Sequence, residues 1–136
     1  MFHYLYLIAL DAGQVSVADQ HLRAYRERLA LMPAALQGNV WLESAFFAAA
    51  FQHDLTAARA FQAQAQLSSH IQADVPARVD AALARLAGDA PLARAKAHLA
   101  LQELPGNLDQ GSARFYAEWL ADTLQWTTQH APTNAG

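Results

Sequence analysis

Apolar residues return at helical spacing along almost the whole 136-residue chain, while strand-favouring residues never alternate over a useful length. That pattern confines the chain to helical architectures. Val15, Ala18, Leu22, Tyr25, Leu29 and Met32 form one stripe, and Asp19, Arg23, Arg26 and Glu27 face away from it. Asp19 and Arg23 stand as an i,i+4 pair with the acid on the N-terminal side, the better orientation. Val75, Val79, Ala82, Leu83 and Leu86 form a second stripe, and Leu92, Ala95 and Leu99 a third. The stretch from Val40 to Phe51 is apolar nearly all round, which marks a helix enclosed by neighbours.

Turn chemistry separates these segments. Met32-Pro33 and Gln37-Gly38-Asn39 end one helical pair and start the next, and Leu104-Pro105-Gly106-Asn107 stops another. Asp54, Asp74 and Asp89 are placed to cap helices, Asp74 with Pro76 in the first turn, where the missing N–H costs nothing. A last helix starts near Asp109 or Ser112 and runs through Trp126, before a polar tail from Thr127.

Aligning the turns exposes a weak internal repeat. Gly13-Gln14-Val15-Ser16-Val17-Ala18 matches His53-Asp54-Leu55-Thr56-Ala57-Ala58 and Gly88-Asp89-Ala90-Pro91-Leu92-Ala93, at separations of 40 and 35 residues. In each copy the first residue reverses the chain, the second caps the next helix, and the alanine lets that helix come close. The expected fold is therefore all-α, an α-solenoid of three helix-turn-helix repeats at about 2–32, 40–70 and 74–104. A C-terminal capping helix at about 110–129 completes a single domain, 1–129, and 130–136 form a flexible tail.

In this frame the chain resembles the tetratricopeptide family. Gly88, Asp89, Ala90 and Ala93 fit that family's turn, and Ala100 and Pro105 fall where it has an alanine and a closing proline. Its small mid-helix residue falls on Tyr6, Phe46 and Ala81, and its early aromatic on Phe2, Leu42 and Ala77. Bulky Tyr6 and Phe46 should push helices apart, so the expected stack is irregular. The resemblance implies a concave groove on the first helix of each repeat, at His3 and Leu7, Glu43 and Phe47, and Arg78 and Arg85.

A narrower resemblance links Trp41-Leu42-Glu43-Ser44-Ala45-Phe46-Phe47, His53-Asp54-Leu55-Thr56-Ala57-Ala58-Arg59-Ala60, and Gly111-Ser112-Ala113-Arg114-Phe115 with Glu118-Trp119-Leu120. Together these are similar to the soluble helical tail of bacterial site-2-protease-type intramembrane metallopeptidases. That likeness implies a regulatory or substrate-presenting appendage, cytoplasmic and tethered to the inner membrane through a parent protein. The zinc-binding HExxH helix of that family is not in this sequence.

Composition removes several functions. A net charge of -3 leaves no basic surface for a phosphate backbone, so nucleic acid is not an expected partner. With no cysteine, disulfide and thiolate chemistry are excluded. The apolar opening Phe2 to Leu10 has no positive segment before it and is interrupted by Asp11. It is too short to span a bilayer and reads as a buried helix, of the kind expected in a piece cut from a longer chain. His3, His21, His53, His70, His98 and His130 never lie three or four apart, so no metal is expected. No Gly-x-Ser-x-Gly elbow or glycine-rich phosphate loop occurs, and neither an enzyme active site nor a cofactor is expected.

The candidate residues therefore concern binding. Glu43 is the sole charge in an apolar helix, so it is either solvated in a groove or paired, for instance with Arg78 or Arg85. Arg78 and Arg85 share a helix face and could receive an acidic peptide, or Arg85 could pair with Asp89. In the last helix Phe115, Trp119 and Trp126 form one edge and Tyr116, Leu120 and Leu124 another. One edge closes the core, and Trp126 is the candidate interface residue.

Three readings stay open at this point. The first is a protein-interaction module for a peptide or a segment of its own parent. The others are a stand-alone homo-oligomer, and a small-molecule sensor lined by Phe46, Phe47 and Phe51.

Overall fold

Helix ends follow from local chemistry, and the three reversals are the clearest case. The computed structural model describes residues 2–33, 37–65, 74–104 and 110–130. Among these lie α1 (Phe2–Asp11), α2 (Val15–Glu27), a 3-10 turn (Leu29–Leu31), α3 (Gln37–Ala50), α4 (Leu55–Ala65), α5 (Asp74–Leu86), α6 (Ala90–Glu103) and α7 (Gln110–His130). The described residues contain no strand, and the fold is all-α.

Gly13, His53 and Gly88 are the described residues with positive φ, at 77°, 55° and 80°. They are the three turn residues that align in the sequence. Gly13 N–H donates to the Leu10 carbonyl at 2.9 Å and Gln14 N–H to Ala9 at 2.8 Å; Gly88 and Asp89 repeat this pairing on Arg85 and Ala84. Both are Schellman closures, which satisfy carbonyls left over at a helix end. The middle turn is longer by one residue, and Asp54 N–H instead reaches the Ala48 carbonyl at 2.9 Å.

Asp54 accepts from Ala57 N–H at 3.0 Å and Asp89 from Leu92 N–H at 3.1 Å, each capping the helix that follows. Gln14 does not cap with its side chain, contrary to expectation, since its longer arm lacks the short reach of Asp or Ser. Ala18, Ala58 and Ala93 are all fully buried, as close helix approach requires.

Three boundaries differ from the sequence reading. α3 starts at Gln37, so Gly38 and Asn39 lie in its first turn rather than ahead of it; Gln37 Nε2 donates to the Leu29 carbonyl at 2.8 Å and ties the helix start to the preceding turn. Asp74 is the first residue of α5 and its side chain turns inward. α7 continues past Trp126 to His130, because the Thr127 and Thr128 hydroxyls bond back to the Leu124 and Gln125 carbonyls and stay compatible with helix. Positions 66–70 and 131–136, assigned to the second repeat and the tail, lie outside the described residues.

The helices pair as hairpins: α1 with α2, α3 with α4, and α5 with α6. α3 also lies close along α5, where Ala45 and Ala49 share a core with Val75, Val79 and Ala82. Between α1 and α3 the approach is wider, and the rings of Tyr6 and Phe47 meet edge to face at 5.8 Å. α7 packs along α6, with Leu120 buried among Ala77, Ala81, Ala97 and Ala100, and it also touches α1 and α5.

The turn geometry sets opposite signs for two substitutions. Gly88→Ala should lower unfolding free energy by about 1–2 kcal/mol, through backbone strain alone, since an added Cβ would meet nothing within 4 Å. His53→Gly should instead raise it, by up to about 1 kcal/mol, because it relieves the same strain. Urea denaturation of the two variants measures both; shifts of the same sign would contradict this account of the turns.

Candidate functional site

A carboxylate in the middle of an apolar helix must find a counter-charge when that helix is buried. Glu43, only 6% exposed on α3, meets Arg78, fully buried on α5. Arg78 Nη1 lies 3.3 Å from Glu43 Oε2, and Nη2 makes the closer contact with Oε1. From α7 the Tyr116 hydroxyl donates to Glu43 Oε1 at 3.0 Å. Two rings set nearly at right angles flank the guanidinium, its Cζ 3.8 Å from the Tyr116 centroid and 4.5 Å from that of Phe46. Such desolvated cation–π contacts contribute about 2 kcal/mol each.

The surrounding titrations follow from this geometry. Burial opposes the charge on Arg78, but Glu43, Tyr116 and Tyr6 together outweigh it and hold the arginine pKa above its ordinary value. Burial and the nearby Glu43 carboxylate push both Tyr6 and Tyr116 well above the usual phenol range. Asp74, also buried, has its pKa raised by desolvation despite the partial relief from Arg78. Its Oδ1 has no hydrogen-bond partner among the described residues.

The structure sorts the sequence candidates into two groups. Leu7, Glu43, Phe47 and Arg78 are buried, on a face that α7 covers. Phe46 meets Trp119 edge to face at 4.7 Å, Phe51 stacks with Phe115 at 6.3 Å, and Arg114 pairs with Asp11 at 3.4 Å. The groove expected for an outside ligand thus holds the last helix of the same chain. The side chain of His3 lies outside the described part of the structure.

Arg85 and Trp126 remain accessible, and the fold brings them together. Arg85 does not pair with Asp89; Nη1 donates to Asp122 Oδ2 at 2.9 Å and to Thr123 Oγ1 at 3.0 Å. Its Cζ lies 5.5 Å from the Trp126 ring centroid, and Trp126 stacks on His130 at 4.6 Å. These residues border an open cleft of about 440 Å³ where α3, α5 and α7 end, lined by Phe51, His53, Arg85, Trp119, Asp122 and Trp126 over buried alanines. Trp119, Asp122, Thr123 and Trp126 fall three or four apart and so share one face of α7.

The sequence reading passed over Asp122 and gave His53 only a turn role. A signal for His53 was present: two sister turns use glycine where it stands. A second, more polar cleft of about 310 Å³ holds Arg26, whose Nη1 donates to buried Ser44 Oγ at 2.9 Å; burial lowers the Arg26 pKa. Among the described residues no three His, Cys, Asp or Glu side chains gather where a metal could be held.

Two substitutions probe the buried cluster. Glu43→Gln strands a buried guanidinium and should cost about 3–5 kcal/mol, with a smaller loss when Arg78→Met accompanies it. Chemical denaturation of the double-mutant cycle measures both. Asp74→Asn should stabilise at neutral pH. Because folding raises the Asp74 pKa, the native state binds the extra proton, so the penalty is present above the folded pKa and fades as pH falls through it. The gain from Asp74→Asn should shrink over that acid range, and melting curves against pH would refute it by a constant difference.

Comparison of the chain with protein-family models, with curated proteins and with solved structures yields no match.

Proposed function

We propose that this chain is a protein–protein interaction module, a tetratricopeptide-like stack whose first-helix face receives an amphipathic helix. The observation that carries this reading is the docking of α7 on that face. Tyr116 reaches Glu43, Trp119 reaches Phe46, and Asp122 and Thr123 reach Arg85, so one helix satisfies residues of both α3 and α5. Helix-in-groove recognition uses such i, i+3, i+4, i+7 anchors. On this reading α7 is a ligand held in the same chain, and a partner helix of like pattern exchanges with it.

A narrower form of the proposal makes the module an appendage of a membrane metallopeptidase of the site-2 type. It is supported by the residue likeness alone, and two of the stretches that carry the likeness, around Glu43 and around Trp119, touch each other across α3 and α7. No described helix is long and apolar enough to cross a membrane, so this reading needs spans elsewhere in a parent protein. An endogenous product of 14.8 kDa would remove it; a larger one carrying an HExxH helix would support it.

Selection of displayed helical peptides tests the module itself. The intact chain and a Trp119→Ala variant, in which α7 is loosened, are the two baits. Recovered peptides should repeat the Tyr-x-x-Trp spacing of α7 and bind the variant more tightly, by about tenfold or more for ~1.4 kcal/mol of lost competition. Failure of both baits to enrich any helical peptide would overturn the proposal.

A further inference from the structure

The Arg85–Asp122 contact that helps hold α7 leaves an edge of each charge over, facing the open cleft. Arg85 Nη1 is committed to Asp122 and Thr123, while Nη2 and Nε make no hydrogen bond among the described residues. Asp122 engages Arg85 through Oδ2, leaving Oδ1 without a partner there, and its side chain is 64% exposed. A cation and an anion therefore stand side by side at the mouth, each with an open edge. Below them lie apolar walls, Phe51, Leu86, Trp119 and Trp126.

We propose that this cleft binds a zwitterionic apolar α-amino acid. Its carboxylate would take the open edge of Arg85 in a two-pronged contact, and its ammonium would donate to Asp122 Oδ1. The side chain would then lie against Trp119 and Phe51. The charge pattern discriminates: a plain carboxylic acid meets the repulsion of Asp122, and a plain amine that of Arg85. Volume agrees, since about 440 Å³ lies within the ~300–1,000 Å³ of small-molecule sites, whereas a helix some 10–12 Å across would fill it within one turn.

His53 is the second, independent observation. It holds a left-handed turn conformation that glycine holds in the two sister turns, and it lines this cleft. A non-glycine residue kept in that backbone conformation at the edge of a cleft fits a ligand role better than a packing role, because the turn itself would be easier with glycine.

The test is an NMR titration of the intact chain with three probes: L-phenylalanine, 3-phenylpropionate, which lacks the ammonium, and phenethylamine, which lacks the carboxylate. L-Phenylalanine should saturate with a Kd on the order of 1 mM and shift the indole N–H signals of Trp119 and Trp126. Each of the other probes should bind about tenfold more weakly. Asp122→Asn should weaken L-phenylalanine and strengthen 3-phenylpropionate, and Arg85→Gln should weaken L-phenylalanine and strengthen phenethylamine. His53→Gly should fold at least as well as the parent and bind L-phenylalanine less tightly. Equal affinity for all three probes, saturable binding of the acid or the amine alone, or no saturable shift with L-phenylalanine would each overturn the proposal. The probe comparison on the parent chain decides the matter even if a charge variant fails to fold.

Discussion

The pairing of Glu43 with Arg78 ties the register of α3 to that of α5 and, through Tyr116, to that of α7. Two charges withdrawn from water are tolerated only when each meets the other with good geometry, and breaking such a pair costs several kcal/mol. One partner sits on α3, the other on α5, and the Tyr116 hydroxyl that donates to the carboxylate comes from α7. Sliding any one helix by a turn, about 5.4 Å, would separate them. The alanines and valines between α3 and α5 mark that register less sharply than a buried ion pair does. The ion pair therefore selects one arrangement of three helices from several that the hydrophobic pattern permits.

Much else follows from where that register puts α7. The helix crosses a face that three hairpins would otherwise leave open, and covers Phe46, Phe47 and Arg78 with Phe115, Tyr116 and Trp119. Apolar surface that would invite non-specific association is buried within the chain. The same placement also makes the cleft. Where α7 runs beyond the core it brings Asp122 and Trp126 beside Arg85 and opposite the His53 turn, so an exposed charged pair lies above an aromatic wall.

Turn geometry supports this arrangement from outside the core. Glycine at positions 13 and 88 adopts positive φ without a Cβ penalty, and the bonds of each closure leave few helix-end carbonyls unsatisfied. The middle turn breaks the pattern twice, with an added residue and with His53 in the strained conformation. It is also the turn that borders the cleft. Local regularity is kept where the chain only needs to reverse, and is given up where a side chain faces open space.

The sequence by itself determined the helical class, the three reversals and the residues that stand out. Those features depend on neighbours within one or two turns: apolar spacing, Asp before a helix, Gly or His at a reversal. It also marked Glu43, Arg78, Arg85 and Trp126, since a charge within an apolar stripe, or an aromatic beyond it, is visible from spacing alone. Only the tertiary structure decided how they are used. Tyr116 lies 73 positions from Glu43 and Asp122 lies 37 from Arg85, so no local pattern links them. α7 has two apolar edges of similar strength, and periodicity cannot say which neighbours each will meet. Packing settled that: the placement of α7 sets Tyr116 against the buried carboxylate and Leu120 in the core, covers Leu7, Glu43, Phe47 and Arg78, and leaves a smaller cleft beside them.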